Sequence, residues 1–502
     1  MSVTKQRLRS SPTELAGGSA AVETTALGEL PAVVAGRPVE TRRVAVVRSP
    51  YDRSPVAAVH LAGPAEVEAA ISGAAAAFET TRSLPSYRRS EVLERIAAGL
   101  RGRQDELART IALEGGKPVK TARLEVDRAA FVFEVAAEEA RRIHGEVVPL
   151  DWIPGTEGRV AQVRRVPLGP IAGITPFNFP LMLVAHKVAP ALAAGDPIVV
   201  RPASQTPVSA LRLGELVVEA GWPEAGISVV SCPVADAAPL VEDRRIALLT
   251  FTGSPAVGWG LKARAGRKRV TLELGGNAPV IVHADADAAY AAERVVWGAT
   301  IQSGQSCISV QRVYVHSSLW DGFVGAVVGG MRGLKTGDPL DGETDVGPLI
   351  DDSARERVQS WVEEAIAGGA RALVGGAAEG TVWQPTVLVD VREEMSISCR
   401  EAFAPLVVLY PFDDVDDAIA AAGASVYGLQ AGIFTNDLSV VDRAFDRIDV
   451  GGLMVNDVPT FRVDHMPYGG VKESGFGREG LRYAIEEMTE TKLIAFNRRP
   501  PR

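Results

Sequence analysis

The chain alternates between long helical patterns and short Val- and Ile-rich runs, and this alternation restricts the possible folds most. Residues 181–194 have helical spacing, Gly195 ends the pattern, and residues 197–200 read PIVV, which is typical of a buried strand. The same pattern recurs as a helix and three further strands, at 211–220, 227–230, 247–251 and 280–282. Short apolar strands separated by helices predict an α/β fold with parallel sheets.

Length and composition narrow the class of protein. With 502 residues, 46% of them hydrophobic and 23% charged, the chain suggests a globular protein of two or three domains. A net charge of −9 gives no general attraction to nucleic acid or to anionic membranes, and no apolar run is long enough to span a bilayer. Three scattered cysteines predict no disulfide framework and favour the reducing cytoplasm, and the dispersed histidines predict no metal site.

Some segments lie outside this alternation. Residues 1–38 begin with a run rich in Ala, Gly, Ser and Glu, which predicts a mobile N-terminal arm. Residues 145–151 and 159–166 predict a hairpin, and residues 492–496 predict an isolated strand near the C-terminus. Because strands without a local partner often pair between subunits, we expect these segments to form an oligomerisation flap.

One glycine-rich motif matches a dinucleotide-binding pattern but lacks the required sequence context. Residues 475–480 read GFGREG and match the dinucleotide fingerprint GxGxxG. The motif follows no buried strand, and it lies too close to the C-terminus for a βαβ unit to follow. We therefore do not expect a phosphate-binding loop there.

A cysteine lies at a junction between two predicted elements. Cys307 ends the segment GATIQSGQSC, between a helical pattern at 290–301 and an alternating strand at 310–315. Ser303 and Gly304 interrupt the two patterns, and such junctions carry function more often than packed segments do. The alternative is that Cys307 is a small buried hydrophobic residue, the commonest environment of a cysteine.

Three further stretches contain groups that could assist a thiol. Asn178 stands in PFNFP before a helix, and Glu273 follows the strand at 270–272. Residues 252–258 follow another strand and open a helix, whose N-terminal N–H groups would suit a pyrophosphate. Taken singly, Asn178 could cap its helix, Glu273 could be a surface charge and Gly253 a turn residue. Together they supply an amide donor, a carboxylate and an anion site beside the thiol.

The motifs and their order resemble those of the NAD(P)-dependent aldehyde dehydrogenase superfamily. The matching segments span Val44 to Asn497 and are PFNFP at 176–180, FTGS at 251–254 with Gly258, ELGG at 273–276, GQSC at 304–307, GPLI at 347–350, EAFAPL at 401–406 and PYGGVKESGFGREG at 467–480. The resemblance implies a Rossmann-like cofactor domain at 39–143 and 168–275 and an α/β catalytic domain at 276–475. It places a small β oligomerisation flap at 144–167 and 487–497 and implies a homodimer or homotetramer.

The resemblance also assigns catalytic roles. Cys307 matches the nucleophile, which would carry a thiohemiacetal and then a thioester during irreversible oxidation of an aldehyde to a carboxylic acid. The Asn178 amide and the Cys307 N–H would stabilise the oxyanion, and Glu273 would act as general base. Lys187 matches a lysine that can assist proton transfer to Glu273; the alternative is a solvated helix lysine.

The expected cofactor residues come from the same motifs. They are Thr175, Pro176, Phe177, Arg201, Ser204, Thr252, Gly253, Ser254, Val257, Gly258, Leu274, Gly275, Glu401 and Phe403. Some relatives have a carboxylate at the Ser204 position, where it would repel a 2′-phosphate. Ser204 removes that repulsion, and Arg201 replaces the usual lysine with a guanidinium that could hold a phosphate. We therefore predict that NADP is accepted, along with NAD.

The segment before PYGG predicts the type of substrate. The wording NDVPTFRVDHMPYGG at 456–470 is similar to the branch of lactaldehyde, non-phosphorylating glyceraldehyde-3-phosphate and phosphonoacetaldehyde dehydrogenases. The expected substrate residues are Arg462, Arg128, Phe179, Ser306 and His465. Because Arg462 offers a charge-assisted fork, we predict a small anionic or hydroxylated aldehyde. Alternatively, Arg462 pairs with Asp457 or Asp464 and only shapes the loop.

The sequence also allows three alternatives to an aldehyde dehydrogenase that hydrolyses its thioester. A CoA-acylating aldehyde dehydrogenase would resolve the thioester with a thiol, but such relatives generally lack the carboxylate at Glu273. A cysteine hydrolase needs a histidine partner, and no histidine stands in a motif recognisably paired with Cys307. A catalytically silent homologue would not be expected to keep Asn178, Glu273 and Cys307 together.

Overall fold

The computed structural model describes residues 24–498, which form two large sheets covered by helices and several small sheets. The helices are α1 (Pro64–Thr81), α2 (Ser86–Gly102), α3 (Gln104–Gly115), α4 (Val119–Ala140), α5 (Met182–Ala194), α6 (Val208–Glu219), α7 (Ala238–Glu242), α8 (Pro255–Arg264), α9 (Ala288–Thr300), α10 (Trp320–Arg332), α11 (Asp352–Ala367), α12 (Ser396–Cys399), α13 (Val415–Gly423), α14 (Leu438–Arg447) and α15 (Leu481–Glu487). The strands are β1 (Glu29–Leu30), β2 (Ala32–Val34), β3 (Arg37–Val39), β4 (Val44–Arg48), β5 (Pro55–His60), β6 (Glu146–Pro149), β7 (Arg159–Pro167), β8 (Ile171–Ile174), β9 (Ile198–Arg201), β10 (Ile227–Val229), β11 (Leu248–Thr252), β12 (Arg269–Glu273), β13 (Ala278–Val282), β14 (Val310–His316), β15 (Arg371–Val374), β16 (Ala378–Glu379), β17 (Val382–Trp383), β18 (Thr386–Val389), β19 (Leu406–Phe412), β20 (Tyr427–Gly428), β21 (Gln430–Phe434), β22 (Gly452–Val455), β23 (Val471–Lys472), β24 (Gly475–Phe476) and β25 (Thr489–Asn497).

The first large sheet has the order β24-β12-β11-β8-β9-β10-β2-β3, and β12, β11, β8, β9 and β10 run parallel. Along β9, Ile198 and Val200 belong to one apolar core and Val199 to another, so both faces of the sheet are buried. The chain passes from β8 through β9 to β10 and then returns to the other side of β8 for β11 and β12. The topological switch point therefore lies between β8 and β11, where open α/β sheets bind ligands at the carboxyl ends of their strands.

The second large sheet has the order β15-β18-β19-β14-β13-β21-β22, parallel except for β15. It follows the first sheet directly, because residues 274–277 alone connect β12 to β13. Val280 and Val282 face one core and Ile281 faces another, so this sheet is also covered on both faces.

The predicted α/β alternation is confirmed. The helix expected at 181–194 is α5, and it ends where Gly195 adopts a left-handed φ of 95° that favours glycine. The predicted strands at 197–200, 227–230, 247–251 and 280–282 are β9, β10, β11 and β13 within one or two residues. The helical pattern at 290–301 is α9, which begins where the Asp287 carboxylate accepts a hydrogen bond from the Tyr290 N–H.

The predicted N-terminal arm is too long. Residues 29–38 contain β1 and β2 and most of β3 rather than an arm. Strand β2 is buried throughout and pairs antiparallel with β10, so these residues extend the first large sheet. Residues 1–23 of the predicted arm lie outside the described residues.

The three flap strands form one sheet with the order β25-β7-β6. The predicted hairpin is confirmed as β6 and β7. The expectation that residues 492–496 form an isolated strand is wrong, because β25 pairs antiparallel with β7 along its whole length. Within residues 24–498, no helix has the length and apolar character needed to cross a membrane.

Candidate active site

A cavity of about 910 Å³ opens at the carboxyl ends of β8, β11 and β12. Its wall includes the predicted residues Pro176, Phe177, Asn178, Phe179, Thr252, Gly253, Ser254, Glu273, Leu274, Gly275, Ser306, Cys307, Glu401, Phe403, Arg128 and Arg462. The fold thus brings together groups that the sequence separates widely.

The loop that carries Cys307 is held in an unusual conformation. Gln302, Ser303 and Gly304 have successive φ values of 54°, 55° and 69°, in the left-handed region that non-glycine residues seldom adopt. The Ser303 hydroxyl bridges the backbone of Gly347, donating to its carbonyl and accepting from its N–H, each at 3.0 Å. A Cβ on Gly304 would lie 2.1 Å from the carbonyl oxygen of Ala404. Surrounding contacts therefore stabilise a strained backbone, as is common at functional sites.

The Cys307 thiol faces the cavity, with its Sγ 3.0 Å from the hydroxyl of Tyr468. Burial raises the pKa of the thiol to about 12, although the hydrogen bond to Tyr468 acts in the opposite direction. At neutral pH the thiol is therefore neutral in this state, and a base would have to remove its proton before the sulfur could act as a nucleophile. The ELGG glycines allow the close packing here, since a Cβ on Gly276 would lie 2.1 Å from the Cys307 carbonyl oxygen.

The Glu273 carboxyl is buried in the wall of the cavity. It ends β12 and is only 4% exposed, so it is not a surface charge. Within residues 24–498, neither of its carboxylate oxygens has a hydrogen-bond partner. Burial, with the nearby Glu479 carboxylate, raises the pKa of Glu273 well above its usual range, while Arg462 and Lys187 lower it. A buried carboxyl that is free to bind a proton fits the requirements of a general base.

Asn178 belongs to the cavity and does not cap the following helix. Helix α5 has Leu181 at its N-cap and no side-chain cap. The Asn178 Nδ2 donates to the carbonyl oxygen of Gln305 at 2.8 Å, next to the loop of Cys307. This contact uses one of the two N–H groups of the amide and orients the other relative to the same loop.

Lys187 is completely buried, so the interpretation as a solvated helix lysine is wrong. Its Nζ donates to the hydroxyls of Thr250 and Thr252 at 3.0 and 2.8 Å and contacts the Glu479 carboxylate at 3.3 Å. Glu479 was not predicted from the sequence, although it lies in the matching segment at 467–480 and inside the discarded GxGxxG match. Burial opposes ionisation of Glu479, but the surrounding cations, Lys187 first, hold its pKa below the usual value.

Lys187, Glu479, Arg462, Asp464 and Arg128 form a continuous ion-pair network. Arg462 contacts Glu479 at 3.4 Å and Asp464 at 3.9 Å, and Arg128 donates to both Asp464 oxygens at 3.0 and 2.7 Å. The guanidinium of Arg462 also stacks 3.7 Å from the centre of the Tyr468 ring. Of the two predicted partners of Arg462, Asp464 belongs to the network, whereas Asp457 pairs with Arg294 at 2.8 Å.

The network also fixes a buried histidine. His186 Nε2 lies 3.0 Å from Asp464 Oδ1 and 3.3 Å from Arg462 Nη2. Burial, followed by the charge of Arg462, lowers the pKa of His186, so the imidazole is neutral at neutral pH. The predicted His465 is instead exposed and packs edge-on against Phe131, and it is not part of the cavity wall.

Another group of wall residues suits a nucleotide. The Glu401 carboxylate accepts a hydrogen bond from the Gly276 N–H at 2.9 Å, and the ring of Phe403 contacts that of Phe177 at 5.8 Å. The wall also includes Arg357, which the sequence did not predict and whose buried Nε has no partner among residues 24–498. The sequence offers only a weak indication of Arg357, because this residue lies in α11, seven residues after the GPLI match.

Some predicted cofactor residues lie behind the wall or beside it. Gly258 is needed for packing, since a Cβ there would lie 2.4 Å from the Leu274 side chain. Arg201 is 9% exposed and donates to the Cys232 carbonyl oxygen at 3.1 Å. Three further predicted residues do not line the cavity. Thr175 is buried, and Val257 and Ser204 are exposed.

Comparisons with known proteins agree with this fold and site. A 3-sulfolactaldehyde dehydrogenase of Priestia megaterium is 45% identical over 452 residues, which are 90% of this chain and 94% of that protein. Aldehyde dehydrogenase 21 of Physcomitrella patens, solved with the reaction product succinate, has a TM-score of 0.92 at 42% identity and covers 95% of this chain and 99% of its own. Glyceraldehyde-3-phosphate dehydrogenase GapN of Methanocaldococcus jannaschii, solved with NADP, has a TM-score of 0.87 at 36% identity over 90% of this chain and 98% of its own.

The chain belongs to the aldehyde dehydrogenase family, whose sequence pattern matches residues 38–494. It is an NAD(P)-dependent aldehyde dehydrogenase, as the motifs predicted, and both nicotinamide cofactors occur among its structural relatives. The predicted resemblance and fold class are therefore confirmed.

The buried Lys187–Glu479 pair should matter for stability. Replacing Lys187 with methionine leaves the Glu479 carboxylate buried with Arg462 as its remaining cation, so we expect the free energy of unfolding in urea to fall by about 3 kcal/mol. Lys335→Met is the matched control, because it breaks an exposed pair with Asp341 and should cost less than about 1 kcal/mol. Equal losses for the two variants would mean that burial of the Lys187 pair is energetically unimportant.

Proposed function

We propose that this enzyme oxidises a small aldehyde carrying a single negative charge to the corresponding carboxylic acid. The observation that carries the proposal is the ion-pair network, whose Arg462 and Arg128 line the same cavity as Cys307. In this arrangement the aldehyde carbon lies at Cys307, and the anionic group of the substrate lies towards the two guanidinium groups.

Cys307, Glu273 and Asn178 perform the chemistry. Glu273 takes the thiol proton, and the thiolate attacks the aldehyde carbon to form a thiohemiacetal. The second N–H of the Asn178 amide and the backbone N–H of Cys307 donate to the oxyanion, each worth about 3 to 4 kcal/mol in comparable sites. The bound nicotinamide supplies the hydride acceptor. Glu273 then activates the water that hydrolyses the Cys307 thioester, and Lys187 and Glu479 lie beside it to carry the proton away.

The donor groups in the cavity fit NAD or NADP. Ser254 precedes α8 with no side-chain cap, and Pro255 at the first helical position has no N–H, so the N–H groups of Ala256 and Val257 are those available for a pyrophosphate. Glu401 offers carboxylate oxygens to ribose hydroxyls, Phe403 and Phe177 offer ring faces, and the unpartnered Nε of Arg357 offers a further donor. We assign the acceptance of NADP, along with NAD, to Arg201 and Ser204.

Charge in the network favours a monoanion over a dianion. The network contains three cationic side chains and two carboxylates, a surplus of a single positive charge. His186 adds no charge because burial and the charge of Arg462 lower its pKa. A sulfonate or carboxylate would neutralise the surplus, whereas a phosphonate dianion would leave a negative charge in a poorly solvated cavity. Relatives named for 3-sulfolactaldehyde and sulfoacetaldehyde, and a neighbour solved with succinate, support this choice.

Two aldehydes of nearly equal shape test the charge argument. We expect kcat/KM for sulfoacetaldehyde to exceed that for phosphonoacetaldehyde by about tenfold or more at mildly alkaline pH. Arg462→Gln should lower kcat/KM for sulfoacetaldehyde by about 10- to 100-fold more than kcat/KM for propanal, since only the anionic aldehyde loses a charge-assisted contact. The rate of NADPH or NADH formation measures each value.

The matched control is Arg294→Gln, which removes an arginine bound to Asp457 in the same region but outside the cavity wall. This variant should treat the anionic and neutral aldehydes alike. If Arg462→Gln slows propanal as much as sulfoacetaldehyde, Arg462 only supports the loop and the anion proposal is wrong.

The exposed apolar surface of the flap sheet supports assembly of the chain into an oligomer. The sheet β25-β7-β6 exposes Val147, Leu493 and Ile494, together with Trp152 and Ile153 in its hairpin. Such apolar exposure supports burial between subunits of a homodimer or homotetramer.

The cofactor-binding and catalytic domains divide at residue 275, and the catalytic domain ends at residue 475. The strands β2, β3 and β24 are assigned to the cofactor-binding domain because they belong to the first large sheet. Three unpaired cysteines support a reducing compartment such as the cytoplasm.

A further inference from the structure

The Tyr468 hydroxyl is the polar contact that the structure gives to the Cys307 sulfur. The two atoms are 3.0 Å apart, and Tyr468 is 3% exposed. Its ring packs with Ile308 and Leu429, and Arg462 stacks on the ring with its guanidinium carbon 3.7 Å from the ring centre. The hydroxyl is therefore presented to the thiol by a side chain with little freedom to move.

The backbone fixes the tyrosine as firmly as its side-chain contacts do. Tyr468 and Glu479 form an antiparallel bridge, in which each N–H donates to the carbonyl of the other at 3.1 and 2.6 Å. The next residue, Gly469, has a φ of 151° and lies so close to Glu273 that a Cβ would approach Oε1 to 2.8 Å. One short segment thus places Tyr468 against the nucleophile, Gly469 against the base and Glu479 against Lys187.

We propose that the Tyr468 hydroxyl is a catalytic hydrogen-bond donor that orients the Cys307 sulfur and stabilises its thiolate. The Tyr468 proton stays on oxygen throughout, and the thiol proton leaves to Glu273. Burial raises the pKa of the phenol well above its usual range, which keeps it a donor at working pH. The positive charge of Arg462 over the ring strengthens the donor by drawing electron density from the phenol. The proposal rests on the role of Cys307 as nucleophile.

Alkylation of Cys307 in the absence of substrate and cofactor tests this proposal. Tyr468→Phe keeps the ring beneath Arg462 and removes the hydroxyl alone. Because the pKa of the thiol lies far above neutrality, the rate of reaction with iodoacetamide at mildly alkaline pH follows the thiolate fraction. Loss of a hydrogen bond to a charged group should lower that rate by about 10- to 100-fold. Mass spectrometry of the Cys307 peptide separates this reaction from that of the exposed Cys399.

The direction of the change distinguishes the proposed role from a structural one. If Tyr468 merely covered the thiol, removing its hydroxyl would improve access, and alkylation would be unchanged or faster; either result overturns the proposal. Tyr290→Phe, at a half-exposed tyrosine on α9, should alkylate like the wild type and controls for the substitution. Because the assay uses no aldehyde, a wrong substrate assignment cannot affect it. Cys307→Ala that retained activity would separately refute the role of Cys307 as nucleophile.

Discussion

Replacing Cys307 with alanine is expected to lower kcat by about 10⁴-fold or more and so abolish measurable NADPH or NADH formation with every aldehyde. In the proposed mechanism the Cys307 sulfur is the reacting atom, and removal of a covalent nucleophile leaves only the binding and oxyanion groups. The cavity should keep its cofactor site, because Gly276, Glu401 and α8 do not depend on the sulfur. Cofactor binding measured by calorimetry should therefore survive.

Cys399→Ala is the matched control for this variant. Cys399 is exposed, and its thiol donates to the Glu394 carbonyl oxygen at 3.5 Å, so activity should be unchanged. A Cys307→Ala enzyme that kept its dehydrogenase activity would refute covalent catalysis at this position. It would leave the chain an aldehyde dehydrogenase by family with a different reacting group.

Replacing Glu273 with glutamine is expected to lower steady-state kcat by about 10²- to 10⁴-fold, the usual contribution of a general base. Glutamine keeps the size of the side chain but cannot accept the proton of the thiol or of the hydrolytic water. Because the pKa of Glu273 is raised, the active carboxylate form becomes more abundant as pH rises, and the wild-type rate should climb from neutral to alkaline pH.

Stopped-flow absorbance provides the measurement for this variant. A burst of reduced cofactor followed by slow turnover would indicate that hydrolysis of the thioester has become limiting. Glu379→Gln, at an exposed carboxylate on β16, should behave as the wild type. Glu273→Gln turning over at the wild-type rate would mean that another group removes the protons.

Sequence motifs predicted the groups that we propose to react but not the groups that contact them. Cys307, Glu273 and Asn178 each stand in a short motif, and all three line one cavity. The Tyr468 contact with Cys307 and the Glu479 contact with Lys187 span 161 and 292 positions of sequence. No local pattern records such contacts, because they depend on how the two large sheets are joined.

The sequence pattern could not show that Lys187 is buried, and the reason is physical. Every residue of α5 is buried, so the helix has no polar face on which a solvated lysine would stand out from a buried one. The N-terminal strands were also not predicted from the sequence. The pairing of β2 with β10 links residues almost two hundred positions apart, and the short run Ala32–Val34 has no strand signal of its own.

The most direct test of covalent catalysis at Cys307 is mass spectrometry of the wild-type enzyme, quenched in acid within the first turnover after mixing with NADP and the aldehyde that it oxidises fastest. The thioester forms by loss of the thiol hydrogen and of one hydride from the aldehyde. The Cys307 peptide should therefore gain the mass of the aldehyde less two hydrogen atoms, with one NADPH formed for each adduct. NADPH formation with an unmodified Cys307 peptide, or with the adduct on another residue, would contradict the account.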